Sequence, residues 1–295
     1  CFRLKMETQH GEKVAEEFGF NQFPVRPREI AKARDIVIQA KPAEVTGVSG
    51  AIIFAGDSAT IIYSTEHGNE GFENFSIGHE LGHWFLPGHP EEIIKAGGAH
   101  MSRANFTQNT SIELEADHFA SGLLLPSNLT RNLLSNYQIG LDGILKLAEK
   151  AHCSITAAAI RAAECGSYPM AIIVSKGNEI AYAFTSESFK NLGKLAFLRK
   201  GAPLPDGATQ RFNADAANVL RAERAVGETD LATWFDGPGR ITLDEEIIGL
   251  GKYGYTLTVL TSEGLPEAPL DEEDEDAELE RSWTPRCAYG RARDP

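Results

Sequence analysis

Two histidines and a glutamate within Phe75–Leu86 have the spacing of a metal-binding helix. His79 and His83 stand four positions apart, and Glu80 directly follows the first histidine. On an α-helix this spacing places both imidazoles on one face, where they can bind one divalent metal ion. The arrangement is typical of zinc hydrolases, in which the glutamate is the general base. An isolated match also occurs by chance, so the surrounding sequence must decide.

The residues around this motif predict the helix that the spacing requires. Pro87 and Gly88 end it, and apolar residues recur along one side. These apolar residues are Phe75, Leu81, Trp84 and Phe85. Gly78 and Gly82 each weaken a helix by roughly 1 kcal/mol relative to alanine. We therefore expect tertiary packing or a bound metal to stabilise the helix, and another segment to approach the glycines closely.

A second predicted helix, from Thr110 to Pro126, offers a third ligand. Glu113 would complete a set of two histidines and one carboxylate and leave a fourth position open for water. The alternative is that Glu113 caps the helix together with Thr110. Asp117 lies one turn further on, either as a surface acid or as an acceptor for the free ring N–H of a ligand histidine. Glu115 is the rival ligand, and it points about 200° away from Glu113 around the helix.

Three further residues have less specific interpretations. We expect His118 to be an ordinary polar neighbour. His89 follows Pro87 and Gly88; of two interpretations, a loop residue or a residue that lines the cleft, we favour the loop. A zinc peptidase also needs a group that stabilises the oxyanion of the transition state. Tyr63 and His118 are the nearest candidates for that role.

Together these motifs resemble the ImmA/IrrE family of metallopeptidases. The segments that carry the resemblance are Gly47–Phe54, Ile61–Ser64, Phe75–His83, Glu113–Ala120 and Leu123–Pro126, in this order. The resemblance implies one zinc ion per chain on His79, His83 and Glu113, with Glu80 as general base. It also implies a protein substrate, a helix-turn-helix transcriptional repressor whose cleavage derepresses a stress-response or mobile-element operon. Mn²⁺ can occupy the same ligands, but this donor set favours Zn²⁺.

Runs of β-branched residues before the metal helix predict a small sheet. The expected strands are Asp35–Gln39, Ser49–Phe54 and Thr60–Tyr63, and the expected helices are Glu12–Phe18 and Arg28–Arg34. An edge strand of this sheet can bind an extended peptide by strand addition. We therefore expect an α+β, zincin-like peptidase domain over residues 1–126.

The next two regions are predicted to be a helical segment and a second domain. Residues 127–165 contain predicted helices at Asn128–Asn136, Leu141–Lys150 and Thr156–Glu164, and the last two resemble a helix-turn-helix. The third helix carries Arg161 alone beside Glu164, so we expect packing or substrate docking and no direct nucleic-acid binding.

Residues 166–262 suggest a second, smaller α+β domain, with a sensor, a lid or a dimerisation module as its possible roles. Its expected strands are Met170–Val174, Ile180–Phe184, Ala232–Phe235, Glu246–Gly249 and Tyr255–Leu260.

Residues 263–295 form an acidic tail that we expect to be disordered. The stretch Asp271–Glu280 holds eight acids; without them 34 acidic residues face 28 basic ones, which changes the formal charge from −14 to −6. The chain has no apolar run of about 18 residues and no signal-like start, so we expect a cytoplasmic protein without membrane contact. Its four cysteines form no C-x-x-C pair, which argues against a disulfide framework or a thiolate zinc site.

The sequence thus favours an intracellular zinc-dependent endopeptidase. One alternative is a DNA-binding transcriptional regulator in which the metal is structural. Another is a ligand-sensing module with a latent peptidase, although the presence of Glu80 argues against a dead site.

Overall fold

The computed structural model describes residues 2–41, 47–56, 58–65, 68–103, 111–193, 195–236 and 240–262. Contacts divide the chain into two compact units. Among the described residues, the first unit holds the chain up to Leu129 together with Ala148–Ser154, and the second holds Thr130–Leu147 and the residues from Ile155 on. The predicted α+β class is confirmed. Thr110 and the acidic tail lie outside the described residues.

Among the described residues, the first unit combines helices with a four-stranded sheet. Its elements are α1 (Phe2–Glu17), α2 (Pro27–Ala33), β1 (Val37–Ala40), β2 (Val48–Ala55), β3 (Ser58–Tyr63), α3 (Glu70–Phe85), α4 (His89–Lys95), β4 (Ala99–Arg103) and α5 (Ser111–Leu124). The predicted sheet before the metal helix is present. The first helix begins at Phe2 and not at Glu12, and β4 was not predicted.

The sheet has the order β1-β3-β2-β4, in which β1 runs parallel to β3 and the other pairs are antiparallel. Ile52 in the centre of β2 lies opposite Ile61 of β3 and His100 of β4. Residues that lie directly opposite each other on neighbouring strands have their side chains on the same face of the sheet. His100 therefore shares a face with Ile52 and Ile61, which are both fully buried. Buried apolar residues around this face include Ile30, Ile77, Leu81, Phe119 and Leu123.

Helix α3, which carries the two histidines, has clear local signals at both ends. The side chain of Asn69 accepts a hydrogen bond from the Phe72 N–H at 3.1 Å, and acidic residues occupy the first turn. The helix ends at Phe85, just before Pro87. A Cβ on Gly82 would lie 3.0 Å from Cα of Ala116 in α5. The expected close approach at this glycine is confirmed, and it brings α5 next to the histidine face of α3.

The second unit contains a five-stranded antiparallel sheet of order β6-β5-β9-β8-β7. After α6 (Ser127–Leu134), α7 (Leu141–Ala151) and α8 (Ile155–Cys165), the elements are β5 (Met170–Lys176), β6 (Glu179–Thr185), α9 (Glu187–Lys190), α10 (Ala208–Asn213), α11 (Ala216–Leu220), β7 (Arg224–Asp230), α12 (Leu231–Phe235), β8 (Thr242–Gly249), a 3₁₀ turn (Gly251–Tyr253) and β9 (Thr256–Thr261). The domain boundaries drawn after residues 126, 165 and 262 stay predictions.

One predicted strand is wrong. Ala232–Phe235 belongs to the short helix α12, in which Leu231, Trp234 and Phe235 are buried. Their spacing of three and four residues places them on one helical face, so packing of this face outweighs the strand preference of the aromatic residues. Within the part of the chain that the structure describes, no helix has the length and apolar character needed to cross a membrane.

Candidate active site

The structure brings His79, His83 and Glu113 together where α3 meets α5. Nε2 of His79 lies 3.1 Å from Nε2 of His83. Oε1 of Glu113 lies 3.3 Å from Nε2 of His83 and 3.7 Å from Nε2 of His79. All three side chains are buried. One nitrogen or oxygen atom from each therefore points to a common position.

This donor set fits a zinc ion. The three ligand atoms lie within 4.8 Å of one another, and the described residues contain no other such group of histidines, cysteines and acids. A tetrahedral zinc with bonds of about 2.0–2.1 Å needs ligand atoms roughly 3.3 Å apart, which the observed distances of 3.1, 3.3 and 3.7 Å approach. Two imidazoles and one carboxylate are also the ligands of many catalytic zinc sites.

Asp117 fixes the orientation of His79. Its Oδ1 lies 2.7 Å from Nδ1 of His79, and the carboxylate is 1% exposed. Burial alone would lower the pKa of His79, but the hydrogen bonds with Asp117 and Glu113 outweigh it and raise that pKa to about 10. Of the two interpretations of Asp117, the structure therefore agrees with the acceptor for a ligand histidine and not with the surface acid.

His83 and Glu113 occupy contrasting electrostatic positions. Burial lowers the pKa of His83 to about 3, which keeps this imidazole neutral and suited to bind a metal. Burial would raise the pKa of Glu113, but hydrogen bonds with His100, His79 and His83 outweigh it and hold that pKa well below the usual range. The hydrogen bond with His100 is short, at 2.5 Å between Nε2 and Oε1. Glu113 is thus an ionised carboxylate held in place from the β4 side.

Glu80 lies against the sheet beside the ligands and is fully buried. Ser102 of β4 donates a hydrogen bond to its Oε1 at 2.7 Å. Gly50 of β2 faces the same oxygen, and a Cβ at that glycine would lie 2.6 Å from it. Burial is the main cause that raises the pKa of Glu80 to about 7. The side chain is therefore fixed in position and able to exchange a proton near neutral pH.

Glu115 and His89 have their own hydrogen-bond partners beside the three ligand residues. Glu115, the rival ligand, accepts hydrogen bonds from Ser111 and from Arg3 of α1. His89 does not lie in a loop as expected: it begins α4, is 2% exposed, and its Nδ1 lies 3.1 Å from Nδ1 of His83. Gly88, at φ 89°, allows the tight turn that brings His89 back to the metal helix.

The two predicted candidates for oxyanion stabilisation have other contacts. Tyr63 lies under the guanidinium of Arg28, 4.2 Å from ring centroid to Cζ. Nδ1 of His118 lies 3.2 Å from Oγ1 of Thr8. Besides His79 and His83, the described residue His100 also contacts Glu113, and its ring centroid lies 4.5 Å from that of His83.

Sequence reasoning missed His100 and Ser102, which both lie on β4. A period of two along Ala99–Arg103 was the available signal, because it places these two polar residues on one face of a strand. The segment lacks the β-branched residues that are present in β2 and β3, so strand propensity alone does not predict it.

A buried HExxH helix with a carboxylate from a following helix is the arrangement typical of metallopeptidases. Comparison with known families agrees: residues 31–163 match the Peptidase M78 family, described as the IrrE N-terminal-like domain. This segment belongs to that family, which confirms the resemblance to ImmA/IrrE proteins and assigns a metallopeptidase domain in general.

A solved structure described as a Mycobacterium tuberculosis transcriptional regulator is similar to the chain, with a TM-score of 0.53 and 14% identity. The likeness covers 87% of this chain and 76% of that one, and at this identity it shows a shared fold. No curated protein matches the chain.

Proposed function

We propose that the chain is a zinc-dependent endopeptidase that uses His79, His83 and Glu113 as metal ligands and Glu80 as general base. The convergence of the three ligand atoms beside a buried glutamate of the same helix carries this proposal. The match to a peptidase family over residues 31–163 supports it. When bound, zinc supplies Lewis acidity, which makes water nucleophilic at neutral pH and polarises the scissile carbonyl.

The contacts of Glu80 determine where it accepts a proton. Oε1 is held by the Ser102 hydroxyl, whereas Oε2 is buried without a hydrogen-bond partner among the described residues. Oε2 is thus the oxygen available to take a proton from water and return it to the leaving amine. A pKa of about 7 suits transfer in both directions near neutral pH.

Two further residues keep the ligands in a productive geometry. Asp117 accepts the Nδ1–H of His79, which leaves Nε2 of that ring to bind the metal. His100 of β4 donates to Oε1 of Glu113. Groups of this kind fix the tautomer and orientation of metal ligands, and removing one typically weakens metal affinity by about 10- to 100-fold.

The position of β4 supports a peptide substrate. In the sheet order β1-β3-β2-β4, this strand is at an edge among the described residues, so one row of its backbone groups can pair with an added strand. His100 and Ser102, on the same strand, contact Glu113 and Glu80. An extended peptide paired with β4 would therefore pass beside the proposed metal ligands.

We further propose that the substrate is a helix-turn-helix repressor, on the basis of the family resemblance. The structural neighbour named as a transcriptional regulator is in keeping with a role in transcription control. The helix-turn-helix-like segment of this chain is not suited to read DNA itself. Arg161 of α8 is 5% exposed and donates to Glu164 at 2.9 Å, and most of this helix is buried.

Incubation of the purified, zinc-loaded chain with the helix-turn-helix repressor encoded nearest to it tests this function. The wild type should cut the repressor, and a chelator should stop the reaction. Glu80→Gln should retain about one zinc per chain and cut nothing, because it keeps the ligands and removes the base. Equal cleavage by Glu80→Gln would refute the assigned base, and zinc binding without any cleavage would refute the substrate.

A further inference from the structure

A series of hydrogen bonds leads from His83 to the N-terminal helix α1. Nδ1 of His83 lies 3.1 Å from Nδ1 of His89, and Nε2 of His89 lies 3.1 Å from Oε2 of Glu115. Arg3 of α1 donates to the same oxygen at 3.0 Å. His83, His89 and Glu115 are each 2% exposed or less. We refer to these four residues as the His83 relay.

The chemistry of the groups gives the His83 relay one direction. If Nε2 of His83 binds a metal, its proton is on Nδ1, which must then donate to Nδ1 of His89. The other nitrogen of His89 carries its proton and donates to the Glu115 carboxylate. Arg3 and the Ser111 hydroxyl supply further donors to that carboxylate. Every hydrogen bond in the relay thus has one donor and one acceptor when His83 is a metal ligand.

Helix α1 is held firmly enough against α5 to act as the end of this relay. A Cβ on Gly11 of α1 would lie 2.1 Å from the carbonyl oxygen of Phe119, and one on Gly122 would lie 1.9 Å from that of Thr8. No other residue type fits at these two positions without separating the helices. The helix lies before the segment 31–163 that matches the family.

We propose that His89 and Arg3 are positioning residues of the metal centre, which act on His83 through the His83 relay and make α1 part of the site. This inference rests on the proposed function, since it takes His83 as a ligand. His89 contacts the ligand directly, so its loss should weaken metal affinity by about 10- to 100-fold. Arg3 is one step further away and its side chain is 65% exposed, so solvent screening should limit its effect to a few-fold.

The test is the zinc dissociation constant of the whole chain, measured by competition with a chromophoric chelator. His89→Phe keeps a ring but removes both nitrogens, whereas His89→Asn retains an acceptor close to the Nδ1 position. The expected order of affinity is wild type, then Arg3→Ala, then His89→Asn, then His89→Phe. Lys13→Ala is the matched control, because Lys13 lies on the same helix, is 72% exposed and pairs with Glu17.

A second readout separates positioning from folding. The visible absorption of the Co²⁺-loaded chain reports ligand geometry, and we expect it to change in His89→Phe while Lys13→Ala matches the wild type. Thermal unfolding with chelator present identifies any variant that fails to fold. Arg3→Ala should still fold, because Arg3 is exposed. If the wild type binds zinc, and Arg3→Ala and His89→Phe bind it with the same affinity, the role of the His83 relay is overturned and the proposed function is not. Absence of zinc binding by the wild type would overturn the proposed function as well.

Discussion

Gly50→Ala should impair catalysis and leave metal binding intact. Gly50 faces Glu80, and an added Cβ would lie 2.6 Å from Oε1 and 3.3 Å from Cδ and Cγ. Ordinary contacts are about 3.5 Å, so the carboxylate must retreat by roughly 1 Å. That movement stretches the 2.7 Å hydrogen bond from Ser102 beyond its useful range. A misplacement of about 1 Å in a reacting group costs on the order of 10²-fold in rate.

The assay is the single-turnover rate of repressor cleavage beside the zinc dissociation constant. Gly50→Ala should cleave about 10- to 100-fold more slowly with zinc affinity unchanged, since neither histidine ligand contacts Gly50 among the interactions described. Gly78→Ala is the matched control: this glycine precedes His79, and its Cβ would meet Cβ of Ala120 at 3.4 Å, an ordinary contact. A wild-type rate in Gly50→Ala would refute the idea that the position of Glu80 controls the reaction.

Three further predictions concern the ligands and their supports. Gly82→Ala places a Cβ 3.0 Å from Cα of Ala116, which costs about 1–3 kcal/mol of overpacking against a gain of roughly 1 kcal/mol in helix propensity. The net free energy of unfolding should therefore fall by up to about 2 kcal/mol, and zinc binding should weaken. Denaturant titration checks this, and a higher midpoint contradicts it. His100→Phe removes the hydrogen bond to Glu113 and should weaken zinc affinity by about 10- to 100-fold, whereas equal affinity would show that His100 does not support the ligand. The pKa of His79 is raised to about 10, so zinc must displace a proton from this histidine. Zinc binding at pH 7 should therefore release about one proton, and zinc affinity should weaken as the pH falls. Calorimetry in buffers of different ionisation enthalpy measures the proton release, which Asp117→Asn should reduce.

The sequence predicted the parts of the site that lie on helices. The spacing of His79 and His83 is a local property of one helix, and Glu113 and Asp117 lie one turn apart on the next. The glycines of α3 indicated that another segment packs there, and Gly82 does meet α5. Periodicity within single elements was therefore enough to identify the proposed ligands and one of their supports.

The missed residues depend on contacts between distant parts of the chain. His100 and Ser102 reach the site because β4 pairs with β2 in one register, which no local pattern specifies. Arg3 lies more than 100 positions before Glu115, and their contact follows from the packing of α1 on α5. The Pro and Gly residues around His89 predict a loop, yet the turn at these residues brings His89 to His83.

The zinc content of three purified proteins tests the central claim most directly. The wild type and Glu92→Gln, which changes an exposed acid of α4, should each hold about one zinc per chain by elemental analysis. Glu113→Gln should hold little or none, because it removes the carboxylate ligand while the two histidines remain. A wild type without zinc, or a Glu113→Gln variant that keeps it, would contradict the proposed metal centre.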